Sequence, residues 1–171
     1  MKTGDRVPQV KFKVRSLGKW IDTNTDTYFK DKRVVLFSLP GAFTHICSTK
    51  QLPGYETKAD AIKAHKINEI YCMSVNDSFV MNAWAQNQKL LNVQVIPDGN
   101  GEFTKKVGML VDKTNIGFGP RSWRYAAVIT DGLVEKVFEE PGMSDNFADD
   151  PYGISSPENV LKYLQSGKVN V

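Results

Sequence analysis

Val34-Val35-Leu36-Phe37-Ser38-Leu39 runs directly into Pro40-Gly41-Ala42-Phe43-Thr44-His45-Ile46-Cys47-Ser48. The first block is short and almost continuously apolar, as a strand covered on both faces must be. In the second block Thr44 is a candidate helix N-cap, which puts Cys47 in the first helical turn. Unpaired backbone N–H groups and the positive end of the helix dipole favour an anion there, hence a reactive thiolate. A strand-to-helix turn at the carboxyl end of a sheet strand is also where α/β folds place their sites. Pro53, just beyond the first turns, should kink or interrupt the helix.

Moving outward, Glu69-Ile70-Tyr71-Cys72-Met73-Ser74-Val75 reads as a second buried strand. Between the two, Tyr55, Ala59 and Ile62 recur at helical spacing, and Lys63, His65 and Lys66 sit where a helix end favours cations. Strand, helix, strand implies a right-handed crossover and a parallel pair. Asp77 or Ser78 can cap a further helix with Phe79, Val80, Ala83, Trp84 and Leu90 on its apolar side. Val93 to Ile96 is another strand, and Pro97-Asp98-Gly99-Asn100-Gly101 a turn before a short helix with Phe103, Val107 and Leu110. Thr130-Asp131-Gly132 joins Tyr125–Ile129 to Leu133–Phe138 as a hairpin. An acidic loop at residues 145–150 follows. Ser156-Pro157-Glu158 opens a last helix. Parallel crossovers first and an antiparallel hairpin late match an α/β, thioredoxin-like architecture: a central mixed sheet flanked by helices, with an N-terminal extension. One domain over residues 1–171 is expected.

Composition narrows the function. A formal charge of +3 is spread along the chain, and Lys30-Asp31-Lys32-Arg33 carries an acid inside it, so the pattern is a solvated turn rather than a nucleic-acid surface. No apolar stretch approaches the ~20 residues of a membrane span. Met1-Lys2-Thr3-Gly4-Asp5-Arg6 lacks the apolar core of a secretory signal, so a cytoplasmic protein is expected. Two cysteines and two histidines give no metal-ligand spacing, and two cysteines alone favour free thiols in a reducing compartment. No metal and no cofactor are expected. From the residues alone, Cys47 is either a nucleophile or a small packed hydrophobe.

The spacing Pro40-x-x-x-Thr44-x-x-Cys47 resembles the peroxiredoxin signature Pro-x-x-x-Thr/Ser-x-x-Cys. Phe37 to Thr44, Leu52-Pro53-Gly54-Tyr55, Ser74-Val75-Asn76-Asp77, Phe79-Val80-Met81 and Ala83-Trp84 are similar to the type II, or atypical (peroxiredoxin-5), subfamily. Ser122-Trp123-Arg124-Tyr125 resembles the segment carrying that family's arginine. The likeness runs from about Gly4 to Leu164, and is strong to the peroxiredoxin portion of bacterial hybrids that carry a glutaredoxin domain. Gln165 to Val171 lies near where such a linker would begin, and no second domain is expected.

The resemblance implies a thiol-dependent peroxidase acting on hydrogen peroxide and alkyl hydroperoxides through a Cys47 sulfenic acid. It makes Cys47 the nucleophile and gives Arg124 the task of stabilising the thiolate and the developing charge. Thr44 would hydrogen-bond the sulfur and orient the peroxide, Pro40 would shield the sulfur, and Ile46 and Gly41 would contact substrate. Arg121 remains a rival for Arg124. Cys72 lies in a buried strand and is a possible resolving thiol, but a one-cysteine cycle restored by glutathione or glutaredoxin is favoured, with thioredoxin as another reductant. Relatives mostly carry proline where this chain has His45, which is either a passive surface residue or a titrating neighbour of the nucleophile. A homodimer is expected, with Phe43, Trp84 and Phe118 as aromatic candidates for its contact. The rival functions are a redox sensor and a thioredoxin-like disulfide oxidoreductase, though Cys47-Ser48-Thr49-Lys50 lacks the Cys-x-x-Cys of the latter. An ionised sulfur open to a small oxidant with a guanidinium close by is expected, and a sulfur walled into the interior with no arginine within reach would overturn the peroxidase reading.

Overall fold

A computed structural model describes residues 1–167. The segment at 168–171, which belongs to the anticipated linker start, lies outside the described residues.

The N-terminal extension is a hairpin of β1 (Lys11–Ser16) and β2 (Lys19–Asn24), followed by α1 (Thr25–Phe29). Then come β3 (Arg33–Ser38), a π-helical turn (Cys47–Gln51), α2 (Leu52–Thr57), α3 (Ala59–Lys63) and β4 (Glu69–Ser74). The chain continues through α4 (Ser78–Asn87), β5 (Val93–Pro97), α5 (Glu102–Lys106), a short β6 (Leu110–Asp112) paired with β7 (Pro120–Ser122), β8 (Tyr125–Thr130), β9 (Leu133–Glu139) and α6 (Pro157–Gln165). Five strands form the central sheet in the order β5-β4-β3-β8-β9. Strands β3, β4 and β5 are parallel, and β8 and β9 are antiparallel to their neighbours. Asp131 and Gly132, both at positive φ, make the tight β8–β9 turn.

Alternation along the strands builds a core on each face of the sheet. Val35, Phe37, Ile70, Cys72, Ala126 and Val128 face α2, α3, α4 and α6 through Tyr55, Ile62, Trp84 and Val160. Val34, Leu36, Tyr71, Met73, Ala127 and Ile129 meet Phe12, Phe29 and Phe103 on the other side. Phe37 stacks on Tyr55 with ring centroids 4.0 Å apart, tying the strand that ends at the site to the helix that follows it. Full burial of each such side chain contributes roughly 1.5–3 kcal/mol. At the strand edge, Arg33 forks onto Glu135, which also accepts from Tyr163.

Three expectations need correction. The helix anticipated through residues 55–66 is two short helices that meet at Lys58. The apolar side of α4 is rotated: Asp77 caps the helix by accepting from the Val80 N–H, so Met81 and Trp84 turn inward while Phe79 and Ala83 face solvent. Phe79 instead packs edge-on against Trp20 of the hairpin. Finally, the chain does not break at Pro53. The turn before it widens, with the Leu52 N–H reaching the Cys47 carbonyl, and α2 continues. A π turn relieves the clash that a proline ring would have with the carbonyl four residues back. Among the described residues no helix is long and apolar enough to cross a membrane.

Candidate active site around Cys47

Strand β3 delivers the chain to the site and the neighbouring strands pin its end. The Ser38 hydroxyl bonds the Met73 carbonyl and the Ser122 hydroxyl, each at 2.9 Å. In the loop that follows, the Ala42 N–H donates to Asn76 Oδ1 at 3.0 Å, and the Ser74 hydroxyl donates to the same oxygen. Phe43 takes a left-handed φ of 63°, an uncommon conformation for a bulky residue, and so redirects the chain into the helix. Winding starts with the Ser48 N–H on the Thr44 carbonyl at 3.0 Å, which puts Cys47 in the first turn as the sequence implied.

The guanidinium beside the sulfur belongs to Arg124. Its Nη1 lies 3.5 Å from Cys47 Sγ, and the same nitrogen bonds Gln51 Oε1. Nη2 donates to Asp150 at 2.5 Å and Nε to the Pro151 carbonyl at 3.1 Å, while the Tyr152 ring lies under the guanidinium. Arg124 is only 1% exposed. Burial pulls its pKa down, but Cys47 and Asp150 outweigh that, so the guanidinium is held more firmly charged than usual. The loop carrying Asp150 and Pro151 is anchored by Glu140, a buried carboxylate that accepts from the N–H groups of Gly153, Ile154 and Ser155 and from the Ser155 hydroxyl. Such charge-assisted bonds are about twice as strong as neutral ones, so the position of Arg124 is set by a rigid surround.

Arg121, the rival, bonds the Phe118 and Pro40 carbonyls instead. Burial lowers its pKa, and the Cys47 charge partly offsets this, so its field reaches the same sulfur without a bond to it. A Cβ on Gly41 would sit 2.6 Å from Arg121 Nη1, so any larger residue there would displace the end of that side chain. Pro40 and Gly41 are buried in the loop over the first turn, and Ile46 is half-buried beside Cys47. The Thr44 hydroxyl does not reach for the sulfur. Its proton goes to the Gly41 carbonyl at 2.7 Å, leaving the oxygen lone pairs as acceptors.

Two further expectations are revised. Cys47 is not open to solvent: its relative exposure is 0%, within a cluster that includes Leu39, Ala42 and Leu52. Trp84, offered as a contact for self-association, is fully buried and gives its indole N–H to the Ser48 hydroxyl, whereas Phe43 is exposed. The His45 side chain is exposed. Cys72 is buried on the same sheet face as Cys47; burial, with a smaller contribution from the Cys47 charge, pushes its thiol pKa well up. Reading the sequence missed Gln51, Asp150 and Glu140. Gln51 alone left a trace, as a polar residue four positions after the cysteine on a face otherwise built of Cys47, Leu52 and Tyr55.

The Redoxin family model matches residues 2–150. A peroxiredoxin of Rhizobium etli is 63% identical over 148 residues, covering 86% of this chain and 83% of that protein. The hybrid peroxiredoxin hyPrx5 of Haemophilus influenzae is 49% identical over 161 residues, covering 94% of this chain but 65% of the hybrid. Among solved structures, the Plasmodium falciparum antioxidant protein, a 1-Cys peroxiredoxin, superposes with a TM-score of 0.92 at 37% identity, over 97% of this chain and 99% of that one. The mixed sheet, its flanking helices and these likenesses agree, and the chain belongs to the peroxiredoxins, peroxidases of thioredoxin-like fold, within the type II, peroxiredoxin-5-like group.

Proposed function

We propose that the chain reduces hydrogen peroxide and alkyl hydroperoxides with Cys47 as nucleophile, in a one-cysteine cycle restored by glutathione or glutaredoxin. The observation that carries this is the Arg124 guanidinium 3.5 Å from a sulfur in the first turn of a helix. In the reaction, the Cys47 thiolate attacks one peroxide oxygen as the O–O bond breaks. Sulfur loses two electrons and becomes sulfenic acid; the other oxygen departs as hydroxide or alkoxide and is protonated. Donors aimed at both the sulfur and the leaving oxygen accelerate such a displacement. Arg124 supplies the charged donor, and the first-turn N–H groups near Ile46 and Cys47 supply neutral ones. Because the Thr44 proton is committed to Gly41, its lone pairs are free to accept from the peroxide O–H and so orient the substrate. Pro40 and Gly41 close the loop over the sulfur and limit its access to water.

Restoration begins when a thiolate attacks the sulfenic sulfur and the S–O bond breaks, releasing hydroxide that takes a proton from solvent and leaving a mixed disulfide. A second thiol then frees Cys47. The raised pKa of Cys72 supports an external thiol: a buried, protonated thiol is a poor nucleophile. The choice of glutathione or glutaredoxin over thioredoxin rests on the resemblance to hybrids that carry a glutaredoxin domain. We further propose a single domain over residues 1–171, a cytoplasmic location and a homodimer. Exposed Phe43 beside the active-site loop supports the last of these.

Mass spectrometry after one equivalent of peroxide tests the cycle. One added oxygen on Cys47 is expected, then a glutathione adduct when that thiol is supplied. A Cys47–Cys72 disulfide would refute the one-cysteine cycle, and an unmodified Cys47 would refute the peroxidase role of this sulfur.

A further inference from the structure

Gln51 lies one turn beyond Cys47 on the same face of the winding and is completely buried. Its Oε1 accepts from Arg124 Nη1, the nitrogen that also faces Cys47 Sγ at 3.5 Å. That bond fixes which way the amide points. Nε2 is left with no hydrogen-bonding partner among the described residues.

Both ends of this amide matter. The other nitrogens of the guanidinium are held from outside the helix, Nη2 by Asp150 and Nε by the Pro151 carbonyl. Gln51 is the protein oxygen that holds Nη1, and it does so without adding a negative charge that would compete with the thiolate. A carboxylate in its place would neutralise the arginine; an apolar side chain would leave Nη1 to the sulfur alone. At the other end, an unmet buried donor is unfavourable, and an apolar residue of equal length would fill the space without that penalty. The unused N–H groups belong to an amide that shares Arg124 Nη1 with the sulfur, and an oxygen gained by that sulfur is the kind of acceptor they lack.

We propose that Gln51 serves the peroxide reaction twice: through Oε1 it turns Arg124 Nη1 toward Cys47, and through Nε2 it donates to the oxygen that Cys47 acquires. The inference rests on the reading of Cys47 given above. It adds nothing to the atom balance of the step. The S–O bond forms as the O–O bond breaks, the departing oxygen takes a proton from solvent, and Gln51 changes neither charge nor protonation.

The test separates oxidation of Cys47 by hydrogen peroxide from its restoration by glutathione, each followed by rapid quenching, alkylation and mass spectrometry. Gln51→Met should slow oxidation by about tenfold or more, with restoration unchanged, and the rates are normalised to the folded fraction because Arg124 Nη1 loses a buried acceptor. Gln51→Glu keeps an acceptor for Arg124 but has no donor, and should also be slow. Wild-type oxidation in Gln51→Met would overturn the proposal. So would a parallel fall of oxidation and restoration in the folded fraction, which marks a purely structural role. Wild-type protein in which Cys47 takes up no oxygen would overturn the peroxidase reading itself, and this proposal with it.

Discussion

Replacing Arg124 with methionine removes the positive charge bonded to the sulfur while keeping a side chain of similar length. At 3.5 Å and an effective dielectric of ~20, a unit charge pair interacts by about 5 kcal/mol. That is a ceiling, because the arginine attracts the resting thiolate as well as the charge developing on the leaving oxygen, and only the difference accelerates the step. Loss of a single donor from a site of developing charge costs about 10²–10³ in rate, and we expect Arg124→Met to react with peroxide more slowly by that factor. Gln51 would lose its partner, but Asp150, 44% exposed, can be solvated, so the stability loss should be about 1–3 kcal/mol. Arg124→Lys keeps the charge without the planar fork and should fall between wild type and Arg124→Met. Arg121→Met, whose guanidinium holds carbonyls rather than the sulfur, should lose less than about tenfold. The assay is the second-order rate of Cys47 oxidation, normalised to the folded fraction. If Arg124→Met reacts within about threefold of wild type, or if Arg121→Met is the slower of the two, the assignment is wrong.

Other substitutions probe the rest of the scheme. Cys72→Ser should keep its peroxidase turnover with glutathione; loss of turnover in a folded variant would make Cys72 part of the cycle. His45→Pro places a proline at the first helical position, where one is tolerated, and its pH–rate profile should superimpose on that of wild type because the imidazole is exposed. A displaced profile would give His45 an electrostatic role. Burial raises the pKa of Glu135, but bonds from Arg33, Tyr163 and Thr130 and the Arg33 charge outweigh it and leave the carboxyl below its usual range. The stability this group contributes is therefore complete above the unfolded carboxyl value of about 4.3 and is lost as pH falls through the lower folded value. Urea titrations of wild type and Glu135→Gln should converge in that acidic window; a gap that stays constant would refute the linkage.

Those elements whose signal is local were legible in the sequence. An unbroken apolar run such as Val34–Leu39 has few options other than a doubly covered strand, and Asp131-Gly132 defines its turn by backbone preference alone. The face of α4 was misjudged because Phe79 is apolar without being inside: it pairs with Trp20 and with the Arg15 guanidinium, groups far away in the chain. The β1–β2 hairpin was missed because its strands are largely exposed and alternate weakly. At the site, motif spacing carries Cys47, whereas Arg124 was reached only through the likeness of its segment to the family's, with Arg121 left as a rival. Asp150 and Glu140 could not, since each acts through contacts made across the fold by an irregular acidic loop. Nothing in the spacing of Thr44 tells which oxygen its proton seeks; that depends on how Gly41 turns.

The bond from the Trp84 indole to the Ser48 hydroxyl has a practical consequence. If glutathione restores Cys47 as proposed, a sulfur with no exposed surface must first be uncovered, and movement of the first turn would carry Ser48, its next residue, with it. The displacement would strip a buried indole of its hydrogen-bonding partner and let water approach it, altering its fluorescence. Trp84 fluorescence would thus serve as an optical clock for any such opening, without any attached dye.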